Sequence, residues 1–452
     1  MGPSTKKNEK SWVSYWVLIF FIVNLICHLS AGTNAASRFA TLLAIEEEHS
    51  FAIDHYIDLT VDWARTPDGH YYSNKAPGPV LLAAPLFYLL VKMRLAGVSD
   101  RQQRVNILVR SKASWLKLFS YLFQLIPFIG LVFFFAKQLI EQNKSLSVVY
   151  LSLGAILFGN TAALFMSTYY GHGLTAVCVL GMVLFAQRHR YYEVGACFGW
   201  AVLSDYSAVL LGLPLLVLIH FDRKNYFRLF LGGVVPFVLW LFYHKVCFGS
   251  PFLIANQFQN PEFQDVLTEN NNLWGILHLF PRMDIFKQLT IGFSRGMFWV
   301  VPWIIVLVLW SIFMILKGQC DRVPKELKFA LSGLFLLLAM NCCFGGWHGG
   351  LTPGPRYLSS IFPVFGVSLA MCWNQMTLLV QRITFVSVCV SVVFSVLVYS
   401  THISPPQTSL WPLYLEQTLI HPSSTTLVRL IVIVPLLTFI GVKTLKWPVR
   451  VS

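Results

Sequence analysis

Apolar runs of about twenty residues recur from one end of this 452-residue chain to the other, the length a helix needs to cross a hydrocarbon core. Backbone groups in lipid must satisfy one another, so spanning segments fold either as helices or as a closed barrel. A barrel needs short strands of alternating polarity, and the chain offers none. Only 12% of its residues are charged against 56% hydrophobic, with a mean hydropathy of +0.62; soluble domains carry roughly twice that charge. The expected fold class is an all-α integral membrane protein forming one polytopic domain over residues 1–452. The runs fall near 12–31, 78–98, 114–136, 146–168, 173–187, 194–220, 227–247, 290–316, 329–344, 357–374, 384–400 and 426–443, which predicts about 12 transmembrane helices.

Charge sets the expected sidedness. The net +14 is no sign of nucleic-acid binding, because Lys and Arg collect in short loops where the positive-inside rule expects them. The N-terminus, 188–190, 222–228, 317–328, Arg382 and the tail (Lys443, Lys446, Arg450) read as cytoplasmic; 34–76, 248–289, 345–356 and 401–425 then face outward. The first apolar run is long for a signal peptide and reads as an anchor. Both termini are expected in the cytoplasm of a cell inner or plasma membrane. The basic run 99–117 admits two arrangements. In one, 78–98 spans; in the other it lies at the outer interface, and 194–220 breaks around Asp205, placing 169–172 outside. Pro77, Pro79 and Pro85 favour the second. Most of the nine Cys sit in or beside apolar runs and read as small buried hydrophobes.

The first outer loop, 34–76, concentrates chemistry. It holds seven of the chain's 20 acids: Glu46, Glu47, Glu48, Asp54, Asp58, Asp62 and Asp68. Residues 39–45 have the spacing of an amphipathic helix lying on the membrane. Asp58 and Asp62 are spaced to share a helical face, Asp68-Gly69 predicts a turn, and Lys75 stands where the chain re-enters lipid, level with headgroup phosphates. Any single acid here also reads as part of a solvated face; the cluster reads as a site.

A second constellation is GGWHGGLTPGPRY, residues 345–357. Its glycines let the backbone approach a ligand closely, Arg356 suits a bidentate grip on phosphate, and Trp347 suits a sugar or headgroup contact. The plain alternative is a flexible turn with a snorkelling Arg and a belt Trp. Tyr169-Tyr170-Gly171-His172 forms a polar knot in which His172 reads equally as base, sugar contact or structural residue. Asp205 is the one acid inside a long apolar run, a functional suspect by default, or else an ordinary helix-end residue. Arg295 shows no independent chemistry. No DxD pair occurs, so neither a metal nor a cofactor is expected.

At these residues the chain resembles the GT-C superfamily of membrane glycosyltransferases, in the branch of protein O-mannosyltransferases and aminoarabinose transferases. Ser37-Arg38-Phe39-Ala40 and Gly69-His70-Tyr71-Tyr72-Ser73-Asn74-Lys75-Ala76-Pro77 take the places of that branch's first-loop motifs. The resemblance implies a sugar donor on polyprenyl phosphate and inverting transfer to a hydroxyl of a lipid, glycan or protein acceptor. It implies a carboxylate base, cations on the leaving phosphate, and no nucleic-acid partner. The branch's acid pair falls at Ala35 and Ala36, so the expected base moves to Asp54 or Asp62, with Lys75 and Arg356 on the phosphate. Arg38, His70, Tyr71, His172, Trp347 and Tyr357 are the expected substrate contacts. A transporter or flippase of lipid-linked sugars and a non-catalytic binder are the alternatives.

Overall fold

The computed structural model describes residues 3–27, 32–219, 222–263, 272–273, 277–350, 352–401 and 410–445. Lys446 and Arg450 of the basic tail, and parts of two expected outer loops, lie outside the described residues. Among the described residues the regular structure is helical apart from two short two-stranded antiparallel sheets. In chain order the elements that position the site are α1 (Pro3–Ile26), α2 (Thr33–Glu48), β1 (Trp63–Arg65), β2 (Tyr71–Ser73), α3 (Gly78–Arg94), α4 (Arg101–Arg110) and α5 (Lys112–Glu141). They continue with α6 (Leu146–Leu157), α7 (Gly171–Gln187), α8 (Tyr191–Ser204), α9 (Arg223–Phe248), α10 (Pro302–Leu316), α11 (Lys325–Cys343), α12 (Arg356–Gln375) and α13 (Leu378–Thr401).

Among the described residues five helices are long and apolar enough to cross a membrane: α5, α9, α11, α12 and α13. Two further helical pieces, Trp411–Ile420 and Ser424–Pro435, meet at a 98° bend, and five apolar helices are shorter. Two of the runs are broken, 146–168 against expectation and 194–220 where the favoured arrangement expects it, each for a local reason. In the run 146–168, α6 stops at Leu157. Asn160 folds back, its Nδ2 donating to Ala155 O (2.8 Å) and Ile156 O (2.7 Å) while its Oδ1 accepts from Ala162 N (2.9 Å). A side-chain amide there supplies what the helix end lacks. In 194–220 the break falls at Asp205, whose carboxylate caps a 3-10 turn over Tyr206–Leu211.

The first loop differs from its expected form. Helix α2 does not lie amphipathically on a surface: every residue from Asn34 to Ala44 is buried. It packs along α3 and α4, and two of its three C-terminal acids, Glu47 and Glu48, are neutralised from α4. Arg104 Nη2 meets Glu47 Oε2 at 2.5 Å, and Arg101 Nη2 meets Glu48 Oε1 at the same distance. The basic run thus shares the layer of the acidic loop. Asp58 and Asp62 share no helical face either, because the 3-10 turn Asp54–Leu59 ends before Asp62; Asp58 is exposed and Asp62 buried. The hairpin β1–β2 turns at Gly69, whose φ of +95° suits glycine.

Other segments read as outer join this loop. Asn260 donates from N to Trp63 O (3.0 Å) and from Nδ2 to Val61 O (3.2 Å), and Ala64 bridges to Gln259. Leu277 bridges to Phe344 beside the glycine-rich turn. Beneath this cap, α8 and α9 touch backbone to backbone. A Cβ at Gly195 would fall 1.9 Å from Leu229 O, and one at Gly232 1.9 Å from Tyr192 O. Small residues permit such an approach between helices in lipid.

Candidate functional site

A cavity of about 1080 Å3 opens between the cap and the α8–α9 pair. Most of its wall is apolar and runs down those two helices, including Phe198, Val202, Leu229, Phe230 and Phe237. Its polar end is assembled from five places in the chain. Helix α2 supplies Asn34 and Arg38, the segment after β2 supplies Asn74 and Lys75, α7 starts with Gly171 and His172, α8 ends at Ser204-Asp205, and α12 opens with Arg356 and Tyr357.

Local sequence explains each placement. Ser37 fastens α2 to the hairpin, its Oγ 2.6 Å from Ser73 Oγ and donating to Asp62 O (2.5 Å). That contact brings Arg38, one residue on, beside Lys75. Tyr169 adopts φ of +54°, a conformation a bulky residue rarely takes; its hydroxyl donates to Pro79 O (2.6 Å). The turn sets Gly171 so close to the neighbouring layer that a Cβ would strike Ser204 O at 2.2 Å and Arg38 Nη2 at 2.9 Å. Gly349, at φ +66°, wraps the Arg356 side chain, with Arg356 Nε 3.2 Å from where its Cβ would stand.

The electrostatics are lopsided toward positive charge. Lys75 Nζ lies 2.9 Å from Asp62 Oδ1, with the two side chains only 19% and 11% exposed. Burial pushes the Asp62 carboxyl up. Lys75, a hydrogen bond from Thr33 and the field of Arg356 more than offset this and hold it below the usual range. Burial, joined by Arg356 and Arg38, holds the Lys75 ammonium down in spite of Asp62. Burial likewise lowers Arg38 to about 10. Arg38 Nη1 donates to Asn34 O (3.2 Å) and to Asn34 Oδ1, both uncharged acceptors. Arg356 Nη2 donates to Tyr357 Oη (2.9 Å), and its guanidinium lies 4.9 Å from the Tyr357 ring. Among the described residues the buried Nε atoms of Arg38 and Arg356 have no hydrogen-bond partner. Buried donors without acceptors are rare, and the three cations outnumber the two carboxylates at this end, Asp62 and Asp205, which favours an added anion.

Of the residues expected at the site, Arg38, Lys75, His172, Arg356 and Tyr357 line this one cavity. Asp62 stands behind Lys75. Asp54 is not among the lining residues: its Oδ2 lies 2.7 Å from His70 Nδ1 and its Oδ1 accepts from Tyr71 N (2.6 Å). His70 and Tyr71 thus serve a hairpin contact, Tyr71 also packing edge-on against Trp63. Trp347 packs on the helical core outside the lining. Ala35 and Ala36 are buried in helix packing. Asn34, Asn74 and Asp205 join the site without having been expected there; only Asp205 carried a signal, as the one acid in its apolar run.

Arg295 has a function its sequence context hides. Buried, it donates from Nη1 to Thr352 O and from Nη2 to Gly350 O, both at 2.6 Å, stapling the turn that precedes Arg356. Arg295→Lys keeps the charge but loses the planar fork, stranding one carbonyl, a cost of about 1–3 kcal/mol. Thermal unfolding should show that loss, with faster proteolysis at 345–355; an unchanged melting temperature would remove the staple role. The chain matches no protein-family profile and no curated protein.

Proposed function

We propose that this protein is a polytopic membrane glycosyltransferase of GT-C type, built on about 12 spans with both termini cytoplasmic. It moves a sugar from a polyprenyl-phosphate donor to an acceptor hydroxyl, with inversion, at the outer face of a cell inner or plasma membrane. The observation that carries the reading is the convergence of Arg38, Lys75 and Arg356 at the polar end of an otherwise apolar cavity. An isoprenoid tail suits the wall formed by α8 and α9, and the phosphate suits the cations, which steady negative charge growing on the leaving group. The sugar then sits beside Asn34, Asn74 and His172, and Asp62 holds Lys75 in place. The acceptor is a lipid, glycan or protein hydroxyl. The buried Ala35-Ala36 pair, and the engagement of Asp62 with Lys75, favour a second reading: a binder or flippase of lipid-linked sugars without transfer.

Turnover separates the two. Purified full-length protein in nanodiscs, given polyprenyl-phosphate-linked mannose, glucose or aminoarabinose with candidate acceptors, should release polyprenyl phosphate. Tight binding of polyprenyl phosphate with no release from any donor would establish the second reading. Absence of binding would defeat both.

A further inference from the structure

Transfer to a hydroxyl needs a group to receive its proton, and neither expected carboxylate stands ready. Asp54 is away from the cavity, and Asp62 is paired with Lys75. The described lining of the cavity holds one acid and one imidazole, Asp205 and His172. They touch: His172 Nδ1 lies 2.7 Å from Asp205 Oδ2. The other carboxylate oxygen, Oδ1, accepts from Ser207 N (3.1 Å) and Ser207 Oγ (2.8 Å). Asp205 is therefore engaged at both oxygens, one orienting His172 and the other capping Ser207. A carboxylate on Nδ1 fixes the imidazole tautomer with its proton on Nδ1, leaving the lone pair on Nε2.

We propose that His172 is the general base of the transfer and Asp205 its positioning residue. This rests on the transferase reading above. Tyr357 ties the base to the phosphate end: its ring packs edge-on against His172, centroids 5.3 Å apart, while its hydroxyl accepts from Arg356. In the step, the acceptor oxygen bonds to the anomeric carbon as that carbon's bond to the phosphate oxygen breaks. The electron pair of the broken bond leaves with the phosphate, which Arg38, Lys75 and Arg356 hold. The hydroxyl proton passes to Nε2, the Asp205 carboxylate steadies the imidazolium, and the proton goes to water once product leaves. Positioned general bases contribute about 10²- to 10⁴-fold.

The test uses full-length protein in nanodiscs, with polyprenyl phosphate as the binding probe and the donor turned over by wild type as substrate. His172→Ala and His172→Gln should lower kcat by about 10²- to 10⁴-fold and leave polyprenyl-phosphate affinity within about twofold. Added imidazole should restore part of the His172→Ala rate, which a structural role would not allow. Asp205→Asn keeps the cap on Ser207 but misorients the ring. It should lower kcat and move the acid limb of the kcat–pH profile, while KM holds. The charged or titratable groups around that ring are Asp205, Arg38, Arg356 and Tyr357, so Arg356→Gln should move the same limb in the opposite sense. If wild type turns over and both His172 variants keep a third or more of its kcat, His172 is not the base and the transferase reading stands. If wild type binds polyprenyl phosphate but releases none from any donor, the transferase reading falls and takes this role with it.

Discussion

Gly195→Val should leave no monodisperse protein to assay. The first atom of any side chain at that position falls 1.9 Å from Leu229 O, and Gly233 N is 3.1 Å away. Both are backbone atoms of α9, so relief requires the whole helix to move. Ordinary overpacking of a core costs about 1–3 kcal/mol, and that figure assumes side chains can shift; here none is available to do so. Gly232→Val should behave alike, since its Cβ would meet Tyr192 O at 1.9 Å. Gly130 is the control. It lies within α5, its Cβ would meet nothing within 4 Å, and Gly130→Ala should gain about 1 kcal/mol from helix propensity. Size-exclusion profiles and melting curves of the three purified proteins decide the matter. A Gly195→Val protein that elutes and melts like wild type would mean that α8 and α9 do not touch. The cavity's apolar wall would then lose its floor.

Lys75→Ala is expected to be the most damaging change at the polar end, with two separable effects. Asp62 is 8% exposed, and among the described residues its one ion-pair partner is Lys75; removing one member of a buried pair costs about 3–5 kcal/mol, because the other is left charged and dry. Adding Asp62→Asn should recover much of that stability. Polyprenyl-phosphate affinity should stay low in the double variant, since one of three cations is still missing. Full affinity in a stable double variant would remove Lys75 from the anion site. The pair also sets an acid limit. Because the folded Asp62 carboxyl lies below its ordinary value of 3.8, its stabilising contribution is complete above that pH. It is lost as the pH falls through the lower folded value. Melting temperature followed below pH 4 should therefore drop more steeply for wild type than for Asp62→Asn.

Some of the candidate site was legible residue by residue. Lys75 and Arg356 announce themselves because each is a cation at the edge of an apolar run, which is a statement about a short window. Asp54 misled for the same reason: its window is as acidic as that of Asp62, and only the fold turns it toward His70 while Asp62 turns toward Lys75. The amphipathic reading of α2 misled because a helix with acids at one end looks surface-bound until Arg101 and Arg104 arrive from α4 to neutralise two of them. Arg295 gave no signal, since its partners are two carbonyl oxygens and carbonyls have no sequence signature.

Length and hydropathy of each run determined from the chain alone that this is a helical membrane protein with an acid-rich first loop, because both properties belong to contiguous residues. The tertiary structure decided which helices are broken, which carboxylates are occupied, and that Arg38, Lys75, His172, Asp205 and Arg356 share one cavity. Those outcomes depend on backbone approaches permitted by Gly171, Gly195 and Gly232 and on hydrogen bonds between residues far apart in sequence. No local window contains either.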